Sequence, residues 1–256
     1  MLSKLKIGII GGSGMEDPEF IHEYSSKAVS TPYGDPSSKL IIGNITDVPV
    51  VILSRHGPGH KINPTNVNYR ANVWSLKEEN CTHILAVTAC GSLRKRIEPG
   101  HFVFPDQFID RTTKRISTYF DGSDVQHVSI GEPFSAELRK CLGQACDDLK
   151  FIHHDGGTVV TIEGPRFSTK AESMLFRSWG CDVINMSTVP EICLARELEL
   201  EYQSIAMSTD YDCWHKSEEE VTMEMIFAVM EKNVDNVKIL ITRVIPNIKR
   251  EYKLGK

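Results

Sequence analysis

Residues 6–14 read Lys-Ile-Gly-Ile-Ile-Gly-Gly-Ser-Gly: a short apolar run, Ile7, Ile9 and Ile10, that breaks into glycines wrapped around one hydroxyl, Ser13. The β-branched run suits a buried strand. A strand feeding a glycine-rich turn lets backbone N–H groups come close to a phosphate. A dinucleotide-binding turn would read GxGxxG, open a helix and be followed by an acidic residue about 20 positions later. Here the glycines are Gly8, Gly11, Gly12 and Gly14, and Met15-Glu16-Asp17-Pro18 is a poor helix start. Ser13 adds a direct ligand that the dinucleotide template lacks. Two readings of the turn stay open, an anion site and a tight structural turn.

Further runs of strand length and β-branched content lie at 48–53, 84–88, 102–104, 158–162, 183–186 and 203–207. Helical spacing separates them: Val67, Ala71 and Trp74; then Leu138, Leu142, Ala145 and Leu149; then Ala171, Met174, Leu175 and Ser178. Thr169 with Glu172 forms a capping box for the third of these, and Gly180 is its C-terminal stop. Ser217 with Glu220 offers a second box ahead of a helix through Met225, Val229 and Val234. Strand and helix signals alternate without repeats, which predicts an α/β fold with a mixed central sheet flanked by helices. No linker or charge block divides the 256 residues, so one domain spanning 1–256 is expected.

Composition narrows the class. The chain is 41% hydrophobic and 25% charged with a formal net charge of −5, which argues against nucleic acid or a membrane surface as the main partner. No apolar stretch reaches the length of a membrane span, and the run after Lys4 and Lys6 is too short for a signal peptide. Seven scattered cysteines without a CxxC predict reduced thiols in an intracellular protein. His153-His154 and the His56/His60 pair have no matching second half, so no metal is expected.

Almost every strand candidate ends abruptly in small, hydroxyl or charged residues. The strand at 48–53 runs into Ser54-Arg55-His56-Gly57, and that at 84–88 into Ala89-Cys90-Gly91-Ser92. The strand at 158–162 leads into Glu163-Gly164-Pro165-Arg166-Phe167-Ser168, that at 183–186 into Ser187-Thr188, and the last into Ser208-Thr209-Asp210-Tyr211-Asp212. Ligands of α/β sheets bind outside the carboxyl ends of strands, so these ends predict one convergent small-molecule site. Loops are polar in any fold, but that alone does not account for the abrupt clustering. Ser13, Arg55, Thr88 and Ser187 form a kit for an oxyanion, with His56 as a further donor. If the last strand continues, Asp210 and Asp212 point to the same side. They could then share a proton or bind a base that offers both a ring nitrogen and an amine. Phe167 and Met186 would supply apolar surface for a flat ring and a sugar.

These residues carry a resemblance. The stretches KIGIIGGSG, SRHGPGH, NYRANVWSLKEENCTHILAVTACGSL, DQFIDRT, VTIEGPRFSTKAES, DVINMSTVPE and IAMSTDYDCW run in order from residue 6 to about 214. Together they resemble the trimeric purine nucleoside phosphorylase family, in its methylthioadenosine phosphorylase branch. The resemblance implies a pentosyltransferase of purine and methionine salvage. Such an enzyme phosphorolyses 5′-deoxy-5′-methylthioadenosine to adenine and 5-methylthioribose 1-phosphate, as a homotrimer without a cofactor.

It further implies phosphate binding by Ser13, Arg55, His56, Thr88, Ala89 and Ser187. Met186 would contact the ribose, and Phe167 would stack on the purine beside Ser168. Asp210 and Asp212 would read the base, with Asp210 as the catalytic general acid. Relatives for 6-oxopurines carry an asparagine in the base-reading segment, so aspartates point to adenine. Met223 would line an apolar 5′ pocket that His127 of a neighbouring subunit closes. Relatives often carry a further C-terminal segment at this pocket, whereas here the chain ends at Lys256. The expected compartment is the cytoplasm, with the nucleus second. The alternatives are a broader phosphorylase of adenosine or 6-oxopurine nucleosides, and a non-catalytic nucleotide-binding or redox protein. The missing GxGxxG spacing speaks against the redox version, and the intact Arg, hydroxyl and carboxylate set against a silent one.

Overall fold

A computed structural model describes residues 4–11, 20–215 and 223–254, with side chains in the last segment described at Val229 and from Asn233 onward. Among the described residues, eleven strands form one mixed sheet in the order β2-β3-β4-β1-β5-β10-β9-β7, with β11, β6 and β8 branching from β5. The strands nearest the candidate site are β1 (Ile7–Gly11), β4 (Val48–Ser54), β5 (His83–Ser92), β9 (Thr158–Ile162), β10 (Val183–Asn185) and β11 (Glu201–Asp210). The others are β2 (His22–Lys27), β3 (Leu40–Ile45), β6 (Phe102–Phe104), β7 (Gln107–Arg111) and β8 (His153–Asp155). The helices are α1 (Tyr69–Glu78), α2 (Ala136–Leu149), α3 (Lys170–Ser178), α4 (Thr188–Glu197) and α5 (Met223–Leu254).

Both faces of the central strands are buried, and their period-2 alternation feeds two separate cores. Ile7, Ile9, Val50, Ile52, Leu85 and Val87 pack toward Leu138, Leu142, Leu240 and Val244 of α2 and α5. Their neighbours Ile10, Val51, Leu53, Ile84 and Ala86 pack toward Val73, Leu76, Ile192 and Leu194 of α1 and α4. Because both faces are apolar, these strands read in the sequence as continuous runs. Five predicted strands match closely, while the runs at 84–88 and 203–207 belong to longer strands. Four strands, β2, β3, β7 and β8, were not anticipated, and nor was α4.

Local signals fix the helix ends. The Thr169 side chain accepts from the Glu172 N–H, and the Glu172 carboxylate accepts from the Thr169 N–H, so the expected capping box is formed. Gly180 follows that helix at φ +91°, the left-handed stop residue. The second expected box, Ser217 with Glu220, lies outside the described residues.

Gly8 sets the spacing between sheet and helix. A Cβ there would lie 2.9 Å from Leu76 Cδ1 of α1. Replacing Gly8 with Val should therefore drive the buried Leu76 side chain out of its packing and destabilise the protein by about 1–3 kcal/mol. The checking measurement is the urea midpoint; a midpoint equal to wild type would contradict the close packing.

Candidate active site

The site begins where two strands part. β1 and β5 pair in parallel from Ile7↔His83 to Ile10↔Ala86, and their ladder stops there. β1 stays on β4 as far as Gly11↔Ser54. β5 continues, and its last residues pair antiparallel with β10, Gly91 against Ile184 and Ser92 against Val183. Switching partners along one strand opens a gap beyond the carboxyl end of β1, the kind of crevice in which α/β sheets bind ligands.

Arg55 fills the inner wall of that gap. Its N–H donates to the Gly11 carbonyl at 2.9 Å, which continues the β1–β4 pairing by one residue. The guanidinium is 2% exposed. Nη1 donates to the Val87 carbonyl at 2.8 Å, just past the β1–β5 ladder. Nε and Nη2 grip the two carboxylate oxygens of Glu191 on α4. Tyr202 donates to the same carboxylate at 3.0 Å. Burial would favour losing the Arg55 proton, but the Glu191 charge overrides it and holds the guanidinium above its ordinary range. Three of the five guanidinium N–H groups have partners among the described residues, and one on each of Nη1 and Nη2 remains for the cleft.

Hydroxyls stand beside it. Thr88 Oγ1 and Ser187 Oγ lie 2.8 Å apart. Ser187 precedes α4 without capping it. Asn185 braces this corner from behind, accepting from Thr161 at 2.9 Å and donating to Thr188 at 2.7 Å. His56 Nδ1 lies 2.8 Å from the Ile62 carbonyl. A carbonyl only accepts, so Nδ1 carries the hydrogen. Burial and the adjacent Arg55 push the ring down to about 3, leaving it neutral with Nε2 as an acceptor. The hydrogen of Nδ1 is spent on Ile62, so the nitrogen of His56 left for the cleft is Nε2. His60 stacks on it with ring centroids 4.2 Å apart.

The carboxylates lie at the other end of the cleft. β11 ends at Asp210, and Asp212 sits in a turn at φ +45°. The pair therefore does not converge by strand alternation, as the spacing suggested. Asp210 instead accepts the Asp212 N–H at 2.7 Å on Oδ1 and the Thr209 hydroxyl at 2.8 Å on Oδ2. Ser168 donates to the Asp212 carboxylate, 2.8 Å from Oδ1 and 2.9 Å from Oδ2. Burial pushes the Asp210 carboxyl above the usual range, and the Asp212 charge adds to the rise. Gly91 leaves the room this needs, since a Cβ there would come within 3.1 Å of Asp210 Oδ1. Gly164, at φ +69°, does the same for Met186, whose Sδ would lie 2.5 Å from an added Cβ.

Arg55, His56, Thr88, Ala89, Phe167, Ser168, Met186, Ser187, Asp210 and Asp212 all line one cleft of about 930 Å³, partly open to solvent. Phe167 stands at its rim, 37% exposed. Ser13 lies outside the described residues. Met223 begins α5, and its side chain is likewise outside them. His127 is exposed and is not among the residues lining the cleft of its own chain. The sequence reading missed Asn185 in the lining and the residues behind it: Glu191, Tyr202 and Arg115. Only Glu191 left a signal, as a lone acid in the apolar run Val189-Pro190-Glu191-Ile192-Cys193-Leu194.

A sequence profile of the Phosphorylase superfamily matches residues 6–246. S-methyl-5′-thioadenosine phosphorylase of Danio rerio is 52% identical over 251 residues, covering 96% of this chain and 90% of the relative. The enzyme of that name from Aedes aegypti is 52% identical, covering 97% and 91%. Among solved structures, methylthioadenosine phosphorylase from Schistosoma mansoni in complex with adenine superposes with a TM-score of 0.92 at 42% identity, covering 96% and 93% of the two chains. A variant of the adenosine/methylthioadenosine phosphorylase of that organism, in complex with methylthioadenosine, gives 0.91 at 41%, covering 96% and 92%. With its whole described core matched in sequence and in fold, the chain belongs to the phosphorylase superfamily and, within it, to the S-methyl-5′-thioadenosine phosphorylase family.

Proposed function

We propose that this chain cleaves 5′-deoxy-5′-methylthioadenosine with inorganic phosphate, giving adenine and 5-methylthioribose 1-phosphate. One observation carries the proposal: a buried, charge-paired Arg55 with donors to spare faces hydroxyls at one end of a cleft whose other end holds the raised carboxyl of Asp210. Phosphate would take the two remaining Arg55 donors, the Thr88 and Ser187 hydroxyls, the Ala89 backbone and Ser13. His56, neutral and accepting at Nε2, suits the O–H of hydrogen phosphate. A phosphate oxygen attacks the anomeric carbon as the glycosidic bond breaks, and the anion stabilises the positive charge that develops on the sugar. Asp210 gives its proton to a ring nitrogen of the departing base, so adenine leaves neutral.

Asp212, already accepting from Ser168, would accept from the exocyclic amine of adenine. A 6-oxo group would set two acceptors against each other there. Phe167 would stack on the base and Met186 on the ribose. Met223 and His127 of a neighbouring subunit would close the 5′ pocket. In this reading residues 1–256 form one phosphorylase domain that works as a homotrimer with no cofactor or metal, in the cytoplasm and also the nucleus. Among the described residues no helix is long and apolar enough to cross a membrane.

Purified protein given methylthioadenosine should release adenine only when phosphate is present. Inosine should be poorer by at least about 100-fold in kcat/KM, because it leaves a buried acceptor unpaired. Adenine release without phosphate, or a preference for inosine, would overturn the proposal.

Replacing Asp210 with Asn should lower kcat by about 100- to 10,000-fold, the range of general acid catalysis. The same change should stabilise the fold at neutral pH. The folded protein holds the Asp210 proton more tightly than the unfolded chain, so this group favours folding at low pH. That contribution is lost as pH rises through its raised value. Asn cannot ionise, so the Tm of Asp210→Asn should gain on wild type between about pH 4 and pH 8. A constant Tm difference across that range would contradict the assignment.

A further inference from the structure

Arg115 follows β7 in a segment that supplies nothing to the cleft lining, yet its side chain is 1% exposed. All five of its N–H groups are spent on the backs of two cleft loops. Nη1 donates to the carbonyls of Met186 and Val189, each at 2.7 Å. Nη2 donates to the Glu163 carbonyl at 2.5 Å and the Ile162 carbonyl at 3.4 Å. Nε donates to the Glu163 carboxylate at 3.1 Å. The Tyr69 hydroxyl of α1 lies 3.0 Å from Nη1, where it shares one of the two hydrogens with a carbonyl, and donates to the Pro64 carbonyl at 2.9 Å.

The grip is returned. Glu163 Oε2 accepts from the N–H groups of Thr113 at 2.5 Å and Lys114 at 2.9 Å, the two residues before Arg115. Burial would raise the Glu163 carboxyl, but these hydrogen bonds bring it down to about 2. The carboxylate thus stays charged wherever the protein is folded near neutrality.

We propose that Arg115 is the positioning residue of the nucleoside subsite, locking the loop that leads to Phe167 and Ser168 to the loop that carries Met186. This rests on the phosphorolysis reading above. The geometry explains why the two loops need such a lock. β9 and β10 pair only from Val159↔Val183 to Thr161↔Asn185. Beyond that ladder no strand bonds hold Gly164 to Met186, although a Cβ between them would not fit. A planar fork with five donors spans the gap, and a lysine, with three donors on one atom, cannot. The phosphate end is fastened independently, Arg55 by Glu191 and Val87, and Thr88 by its place in β5. Ser187 alone lies between two carbonyls that Arg115 holds.

The test is Arg115→Lys assayed beside wild type with methylthioadenosine and phosphate varied in turn. Expected is a KM for the nucleoside raised by at least about 10-fold, since small misplacements in a site are costly. The KM for phosphate should move by less than about 3-fold, because Ser187 is one ligand among several. A merely structural role would lower Tm and leave both constants alone. An unchanged pair of constants, or an equal rise in both, overturns the proposal. Should Arg115→Lys fail to fold, Glu163→Gln decides: it keeps every backbone carbonyl and weakens only the Glu163 side-chain contacts with Arg115, Thr113 and Lys114. The same split in smaller degree supports the proposal, and an unaltered ratio of the two constants overturns it. If wild type shows no phosphate-dependent cleavage, the functional reading fails first. Equilibrium binding of adenine to wild type and Arg115→Lys then decides, with weaker binding by the variant in favour and equal binding against.

Discussion

The buried pair of Arg55 and Glu191 ties together the parts of the molecule that must stay in register. Arg55 enters from the end of β4, Glu191 from α4, Tyr202 from β11 and the Val87 carbonyl from β5. A charge pair taken out of water is a poor source of net stability, because desolvation offsets most of the Coulomb attraction. Hydrophobic residues of similar volume could hold four elements together as well. They could not present a permanent cation at the floor of a cleft with its counter-charge on the far side. The two buried arginines divide this labour by donor count. Arg115 spends every N–H on the protein and is architecture, whereas Arg55 keeps two in reserve and can still meet a ligand.

The gap between β1 and β5 follows from the same economy of pairing. Backbone groups that leave a ladder must find other partners. At Val87 the partner is the Arg55 side chain, and at Gly91 and Ser92 it is β10. The crevice is therefore a consequence of one strand changing neighbours, with the lost pairing made good by the residues that line it.

Much of this was legible in the sequence, for physical reasons that also mark where legibility ends. Strands buried on both faces, such as 7–11 and 48–54, announce themselves as apolar β-branched runs. His22–Lys27 does not, because all six of its residues are exposed at the sheet edge. β8 is three polar residues whose strand character comes wholly from pairing with β6. Helix α4 escaped because it is buried on nearly all sides and shows no amphipathic period. In the site, residues that face a ligand sit in abrupt polar breaks after strands and could be picked out. Those that brace them could not. Arg115 looks like any basic loop residue until the carbonyls around it are seen. The two aspartates were paired correctly for an incorrect reason: a hydrogen bond across a left-handed turn brings them together, not the pleat of a strand.

Because β5 belongs to both limbs of the forked sheet, it also works as a ruler. Thr88 marks the anion end of the cleft, and Gly91, which pairs with Asp210, marks the carboxylate end. Three residue steps of strand, with Ala89 and Cys90 between, separate them, about 10 Å at the rise of an extended chain. The distance from nucleophile to leaving group is thus written in backbone, where no rotamer change can alter it. Side chains along this stretch are free to drift over evolutionary time within the limits of packing. The number of residues between the two marks is not, since adding or removing one would shift the span by about 3.3 Å and turn every following side chain to the opposite face.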